Sequence, residues 1–384
     1  MKTPFLTLIL SSLTVTIMLS SCGPKGTDPA KEAREAAISI LKEAVQSSTP
    51  MYAHQDDLVY GHSWNVEDPE GDPIERSDVK AVSGHYPFIV GFDLGGIELR
   101  DSKNLDSVSF VLMRRAAVKH TERGGLVTFS WHPRNPLTGG DAWDVSSDKV
   151  VQSILEGGEN HAKFMDWLSA AADFLDSLRD SEGNPIPIIF RPWHEHVGSW
   201  FWWGGKLCTP EQYIALYRLT HDYMVHDRGL GNIVWVYSPN SQISKEQYMS
   251  RYPGDEYVDA LGTDHYAPSG VVGAAPADKK EDAIEFARKN FTEIMDRDLG
   301  MINGLCQERG KILVLSETGF EGLGDHAWWT EVLLPLVKKY PMSYVLTWRN
   351  AHDKPTHYYA PFPGEPSAPD FVKFSSDPAI KMLP

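Results

Sequence analysis

Eight short aliphatic and β-branched runs, each closing on polar or aromatic residues, alternate with amphipathic stretches along this chain. The runs cover residues 51–54, 88–93, 126–132, 186–195, 233–239, 258–266, 312–317 and 344–350, and helical patterns at 30–46, 107–122, 163–179, 210–228, 283–308 and 326–339 fill most of the gaps. Strands that are apolar without alternation are buried on both faces, which is the condition of a parallel sheet covered by helices. Eight such units predict an α/β fold in which a single catalytic domain closes as a (β/α)8 TIM barrel. The length of 384 residues suits one barrel with long loops, and no repeat of solenoid period competes with that reading.

A parallel barrel carries its chemistry at the C-terminal ends of its strands. At those ends the sequence places His54, Asp93, His132, Glu195, Asn240, Tyr266, Glu317 and Trp348. Glu195 closes the fourth run between His194 and His196, and Trp200, Trp202 and Trp203 follow within eight residues. A carboxyl fenced by imidazoles and indoles has surroundings that raise its pKa and fit it for general acid work. Glu317 closes the seventh run in the same manner, before a Thr-Gly turn. A lone strand-end Glu is more often a helix cap or an ion-pair partner. Two of them, one inside a tryptophan cluster, can flank one glycosidic bond while indole faces stack on sugar rings.

The net charge of −16, with no basic stripe, excludes nucleic acid as a partner and favours a neutral polysaccharide. The His-Glu-His triplet could suggest a metal, but Gly198 stands where an H-E-x-x-H pattern needs its second His. No metal and no cofactor are expected. A glycan-binding protein without catalysis would share the tryptophans but has no reason to hold both glutamates.

The N-terminus reads as a bacterial lipoprotein signal. Lys2 begins a positive n-region, residues 5–19 are apolar, and Leu19-Ser20-Ser21-Cys22 resembles a lipobox, with Cys22 the acylated residue. The expected organisation is a signal peptide at 1–21, a tether at 22–35 and the catalytic domain at 36–384. Such a protein is anchored by lipid in the cell envelope, at the outer membrane, facing the periplasm or the cell surface. It would touch the membrane only through that anchor. Cys208 and Cys306 are expected as buried free thiols, and a monomer suffices.

Arg-Pro-Trp-His-Glu at 191–195, then Gly-Ser-Trp-Phe-Trp-Trp-Gly at 198–204 and Ser-Glu-Thr-Gly at 316–319, resembles glycoside hydrolase family 26, mostly retaining β-mannanases on a barrel. The likeness runs from about Ala36 to the end of the chain. It implies Glu195 as acid/base and Glu317 as nucleophile. It further implies His132 and His194 in the −1 subsite, Tyr266 orienting the nucleophile, Trp200 near the scissile bond, and Trp348 under the −1 sugar. The implied activity is that of a mannan endo-1,4-β-mannosidase, with mannobiose-releasing exo action, mixed-linkage β-glucan and β-1,3-xylan as variants. One departure stands out: the commonest family form has Met-Asn after the acid/base, where this chain has His196-Val197, so an altered aglycone-side contact is expected. Loops 139–159 and 268–281 are long enough to wall the cleft.

Overall fold

The computed structural model describes residues 28–384, and within them the eight apolar runs form eight parallel strands closed into one barrel. In chain order these are β1 (Met51–Gln55), β2 (Ile89–Asp93), β3 (Leu126–Ser130), β4 (Ile188–Arg191), β5 (Ile233–Tyr237), β6 (Ala260–Tyr266), β7 (Ile312–Gly319) and β8 (Tyr344–Thr347). Closure is visible in the register at β1, where Ala53 faces Ile89 of β2 on one side and Leu346 of β8 on the other. Seven of the strands are buried at every residue, which is why their sequences do not alternate. The exception, β6, loosens at His265 and Tyr266, where it reaches the open end of the barrel.

Two irregularities bend the barrel wall beside β7. Thr263 of β6 faces Leu315 and the next residue, Asp264, faces Glu317, so Ser316 is an extra residue on β7. A second shift separates the Val345–Leu315 pair from the Thr347–Thr318 pair. A bulge re-aims the side chains next to it. Here it sets the two carboxyls of Asp264 and Glu317 side by side.

The outer layer follows the amphipathic stretches. Asp28 caps the helix Pro29–Ser47, whose Pro stands at the first turn, where a missing N–H costs nothing. That helix buries Ala37, Leu41 and Ala44, and Arg34 reaches the Ile233 carbonyl at 2.9 Å and Asp259 at 2.5 Å. The helical pattern expected from residue 30 is thus present, and it is the tether bound of 35 that is corrected: from Pro29 onward those residues are helix docked on the barrel. The lipobox and Cys22 lie outside the described residues. Further helices at Phe110–Glu122, His161–Asp176, Pro210–Asp222 and Lys280–Arg309 cover the sheet. Trp328 and Trp329 are buried and meet edge to face at 4.9 Å, with Phe371 4.7 Å from Trp329. This packing knot, in which Trp→Ala would cost about 3–5 kcal/mol, locks the C-terminal segment to the barrel. Cys208 and Cys306 are free and buried.

Candidate active site

Glu195 does not end a strand. β4 stops at Arg191, and the chain then turns through Trp193 (φ 54°) and Glu195 (φ 52°), two non-glycine residues in the left-handed region. Each such residue costs roughly 1–3 kcal/mol and persists only where its surroundings fix it. The fixing contacts are explicit. Glu195 N–H donates to the Ser238 carbonyl at 2.9 Å, and Gly198 N–H donates to Asn240 Oδ1 at 2.8 Å. Buried Trp193 donates to Thr220 Oγ1 at 3.1 Å.

The same turn separates the His-Glu-His triplet into three environments. His194 faces His132, with 3.0 Å between their Nε2 atoms. Glu195 remains partly open to the cleft. His196 is fully buried on the other side, against Tyr213 and Tyr237 at ring distances of 4.1 and 4.9 Å. Of the His196-Val197 departure, His196 makes no contact in the cleft itself, being packing between the barrel and helix Pro210–Asp222, whereas Val197 is half-buried. Nor do the three side chains converge on a point where they could hold a metal.

Glu317 is 4% exposed and held at both oxygens. Arg191 donates to Oε1, and the Tyr266 hydroxyl donates to Oε2 at 2.7 Å. Arg191 also donates to Asp264 at 3.0 Å, and Asp264 takes further bonds from Ser316 at 2.7 Å and Ser238 at 3.2 Å. Burial opposes the charge of Arg191, but Asp264 and Glu317 more than restore it, so the guanidinium stays charged. Burial, with the charge of Glu317, lifts the Tyr266 phenol well above its ordinary range and keeps it a donor. Burial and Glu317 also raise Asp264, to about 7, against the pull of Arg191.

Glu195 has the opposite surroundings. Its only side-chain donor among the described residues is Trp200 Nε1, at 2.6 Å from Oε2. Enclosure by protein, then the charges of Glu317 and Asp264, raise its pKa well above the carboxylate range, and Trp200 and Arg191 offset only part of this. One carboxyl is thus surrounded by donors and the pKa of its neighbour is pushed up toward the protonated form. That is the division of labour a nucleophile and an acid need.

Across the cleft His132 donates from Nδ1 to Asp93 at 2.6 Å, and Asp93 also accepts from Ser130 and from the Gly95 N–H, both at 2.7 Å. Burial works against both charges, yet their attraction and hydrogen bond prevail, raising His132 and lowering Asp93. His194 is pushed well below the imidazole range by burial and by Arg191 and His132, and it shares a hydrogen bond with His132. Trp348 lies 6.5 Å from His132, ring to ring, and Trp143 of the loop 139–159 stacks on His132 at 5.3 Å with 11° between planes. His132, Trp143 and Trp348 border a cavity of about 400 Å3 that continues to Asp106 and Arg349, an ion pair at 3.0 Å.

Of the seven expected site residues, His132 and Trp348 border this cavity, and hydrogen bonds join His194 to His132, Trp200 to Glu195 and Tyr266 to Glu317. Of the tryptophan cluster, only Trp200 is exposed. Trp202 and Trp203 are buried and donate to the carbonyls of Pro133 (3.0 Å) and His194 (2.9 Å), so they are scaffold. Sequence reasoning passed over Arg191, Asp264 and Trp143. Arg191 stood in the quoted motif, and a charged side chain inside an apolar run was the available signal.

Comparison with known proteins agrees with this geometry. The model of glycosyl hydrolase family 26 matches residues 48–348. A mannan endo-1,4-β-mannosidase of Bifidobacterium adolescentis is 29% identical over 338 residues, covering 83% of this chain and 32% of its own length. One from Caldalkalibacillus mannanilyticus is 35% identical over 222 residues, covering 55% and 41%. The chain thus spans well under half the length of these two curated relatives. Among solved structures, a family 26 β-mannanase from Bacteroides ovatus superposes with a TM-score of 0.83 at 44% identity, covering 93% of this chain and 96% of that one.

Proposed function

The chain belongs to glycosyl hydrolase family 26, and on that premise we propose that it is an endo-1,4-β-mannosidase cleaving mannan, glucomannan or galactomannan with retention. The observation that carries the reading is the unequal pair: Glu317 held between Arg191 and Tyr266, and Glu195 with Trp200 as its one side-chain donor among the described residues, where burial and the charge of Glu317 raise its pKa.

Ionised Glu317 attacks the anomeric carbon while Glu195 protonates the departing glycosidic oxygen. Forming the glycosyl-enzyme removes the charge of Glu317, and with it the main electrostatic reason for Glu195 to stay protonated. Glu195 then ionises and deprotonates the incoming water. Trp348, Trp143 and the His132–His194 pair line the sugar side of the cleft, and Trp200 the leaving-group side. Reducing-end release from β-mannan, mixed-linkage β-glucan and β-1,3-xylan tests the substrate, and the product ladder separates endo from mannobiose-releasing action. Glu317→Gln is expected to lose both half-reactions. Glu195→Gln keeps the first on aryl glycosides whose leaving group needs no proton. Equal loss on activated and unactivated substrates in Glu195→Gln refutes the acid/base assignment.

Acylation at Cys22, placing the domain on a membrane surface beside its polysaccharide, completes the proposal. It rests on the sequence pattern at 19–22 and is tested by fatty-acid labelling of the full chain against Cys22→Ser.

A further inference from the structure

At the opposite end of the barrel from the cleft, helix Pro210–Asp222 does not stop but widens into a π turn, Tyr223–Asp227. In a regular α-helix, residues five apart point about 140° away from each other. His221 and His226 would then diverge. The wider turn brings His226 back beneath Asp222 and His221, so that one ligand atom from each lies within 4.8 Å of the others. Asp222 Oδ1 is 3.0 Å from His221 Nδ1 and 3.6 Å from His226 Nε2. π turns within helices are rare and recur at functional sites.

From this juxtaposition we propose that His221, Asp222 and His226 bind a divalent transition-metal ion. Two imidazoles and one carboxylate are a ligand set that suits Zn2+, with water completing the shell. The site is partly preorganised. The His221 ring is held between Trp235 and Tyr257, at 4.9 and 4.8 Å. The three ligands border a cavity of about 550 Å3 whose other walls include Asp28, Lys31 and Glu256. Arg34 and Asp259 also line it and pair with each other, and Lys31 offsets part of the charge of Asp28 and Glu256, so the three ligands themselves carry the attraction for a cation, with room for bound water. Because Asp28 and Lys31 belong to the start of helix Pro29–Ser47, the ion sits where the chain enters the barrel. All three ligands come from one helical segment, so the ion pins the π turn at the end of helix Pro210–Asp222, and it takes no part in hydrolysis.

The experiment is calorimetric titration of Zn2+ into the chelator-stripped full chain, alongside His226→Ala and Asp222→Asn. The side chains replaced are 69% and 46% exposed, so both variants fold, as circular dichroism will verify. The expected result is one Zn2+ per chain, with affinity falling about tenfold or more in each variant. Zn2+ should also raise Tm in the parent chain and not in the variants. Substituted Co2+ should give the intense visible absorption of a four- or five-coordinate ion, lost in His226→Ala. Zn2+ binding of equal affinity in the parent and both variants, or no binding to the parent chain, overturns the proposal.

Discussion

Replacing Trp200 by Phe removes one hydrogen bond and keeps an aromatic ring, so it isolates the contribution of that bond to the acid. The indole N–H donates to Glu195 Oε2 at 2.6 Å and lowers a pKa that burial, Glu317 and Asp264 all raise. A hydrogen bond to a charged group is worth about 1.5–3 kcal/mol, and about 1.4 kcal/mol corresponds to one pKa unit. The indole is 42% exposed, so solvent screening brings the effect down to about one unit. The sign follows from the role. Glu195 must be protonated to start the reaction, so activity is lost as pH rises through its pKa. Without the donor the charged form is less favoured, the pKa climbs, and the basic limb of kcat/KM moves to higher pH by about one unit. The assay is kcat/KM on mannotetraose across the basic limb, with the acid limb as internal control. A basic limb that stays in place or moves down refutes the link between Trp200 and the proton on Glu195.

Tyr266→Phe strips one of two donors from Glu317 and should lower kcat about 10–100-fold, with KM little changed; steady-state kinetics on mannan reads it. Trp143→Ala removes an exposed platform stacked on His132. It should raise KM severalfold at nearly constant kcat, the mark of uniform binding. The Asp93–His132 pair sets a pH window for stability. Raised His132 contributes stability that is full below its unfolded pKa of about 6.5 and is lost as pH rises through its folded value. Lowered Asp93 contributes above its unfolded pKa of about 3.9 and loses that as pH falls through its folded value. Asp93→Asn should therefore flatten Tm against pH on both sides, with its largest deficit between these limits, as thermal melts across pH will show.

The barrel was legible because burial on both faces leaves a strand no alternation to hide, and all eight strands lie on the runs marked from sequence. The ends were less legible, for local reasons. The fourth run reads as extended to Glu195, yet the strand stops at Arg191, since nothing about a Trp or a Glu announces a positive φ. Residues 30–35 carry a helical pattern yet fall inside the tether bounds, because Gly, Pro and Asp precede them, although Asp28-Pro29 is also a helix start. The two glutamates were marked because each closes an apolar run in the sequence, although Glu317 lies within β7 and Glu195 stands four residues beyond the end of β4. The Arg191–Asp264–Glu317 network was not, because its partners are 73 and 126 residues from Arg191 and meet only through barrel closure and the bulge at Ser316. His196 shows the converse error: adjacency in sequence to a cleft residue says nothing of direction once the backbone turns through the left-handed region.

That left-handed turn bears on what selection can do with this fold. Glu195 holds a disfavoured backbone conformation and keeps a carboxyl enclosed by protein beside two others. Asn at this position would relax the backbone, because Asn tolerates positive φ, and would remove the enclosed acid. The inactive protein should then be the sturdier one. A lineage chosen only for folding would drift toward silence at position 195, and under the proposed function it is selection for catalysis that holds Glu there.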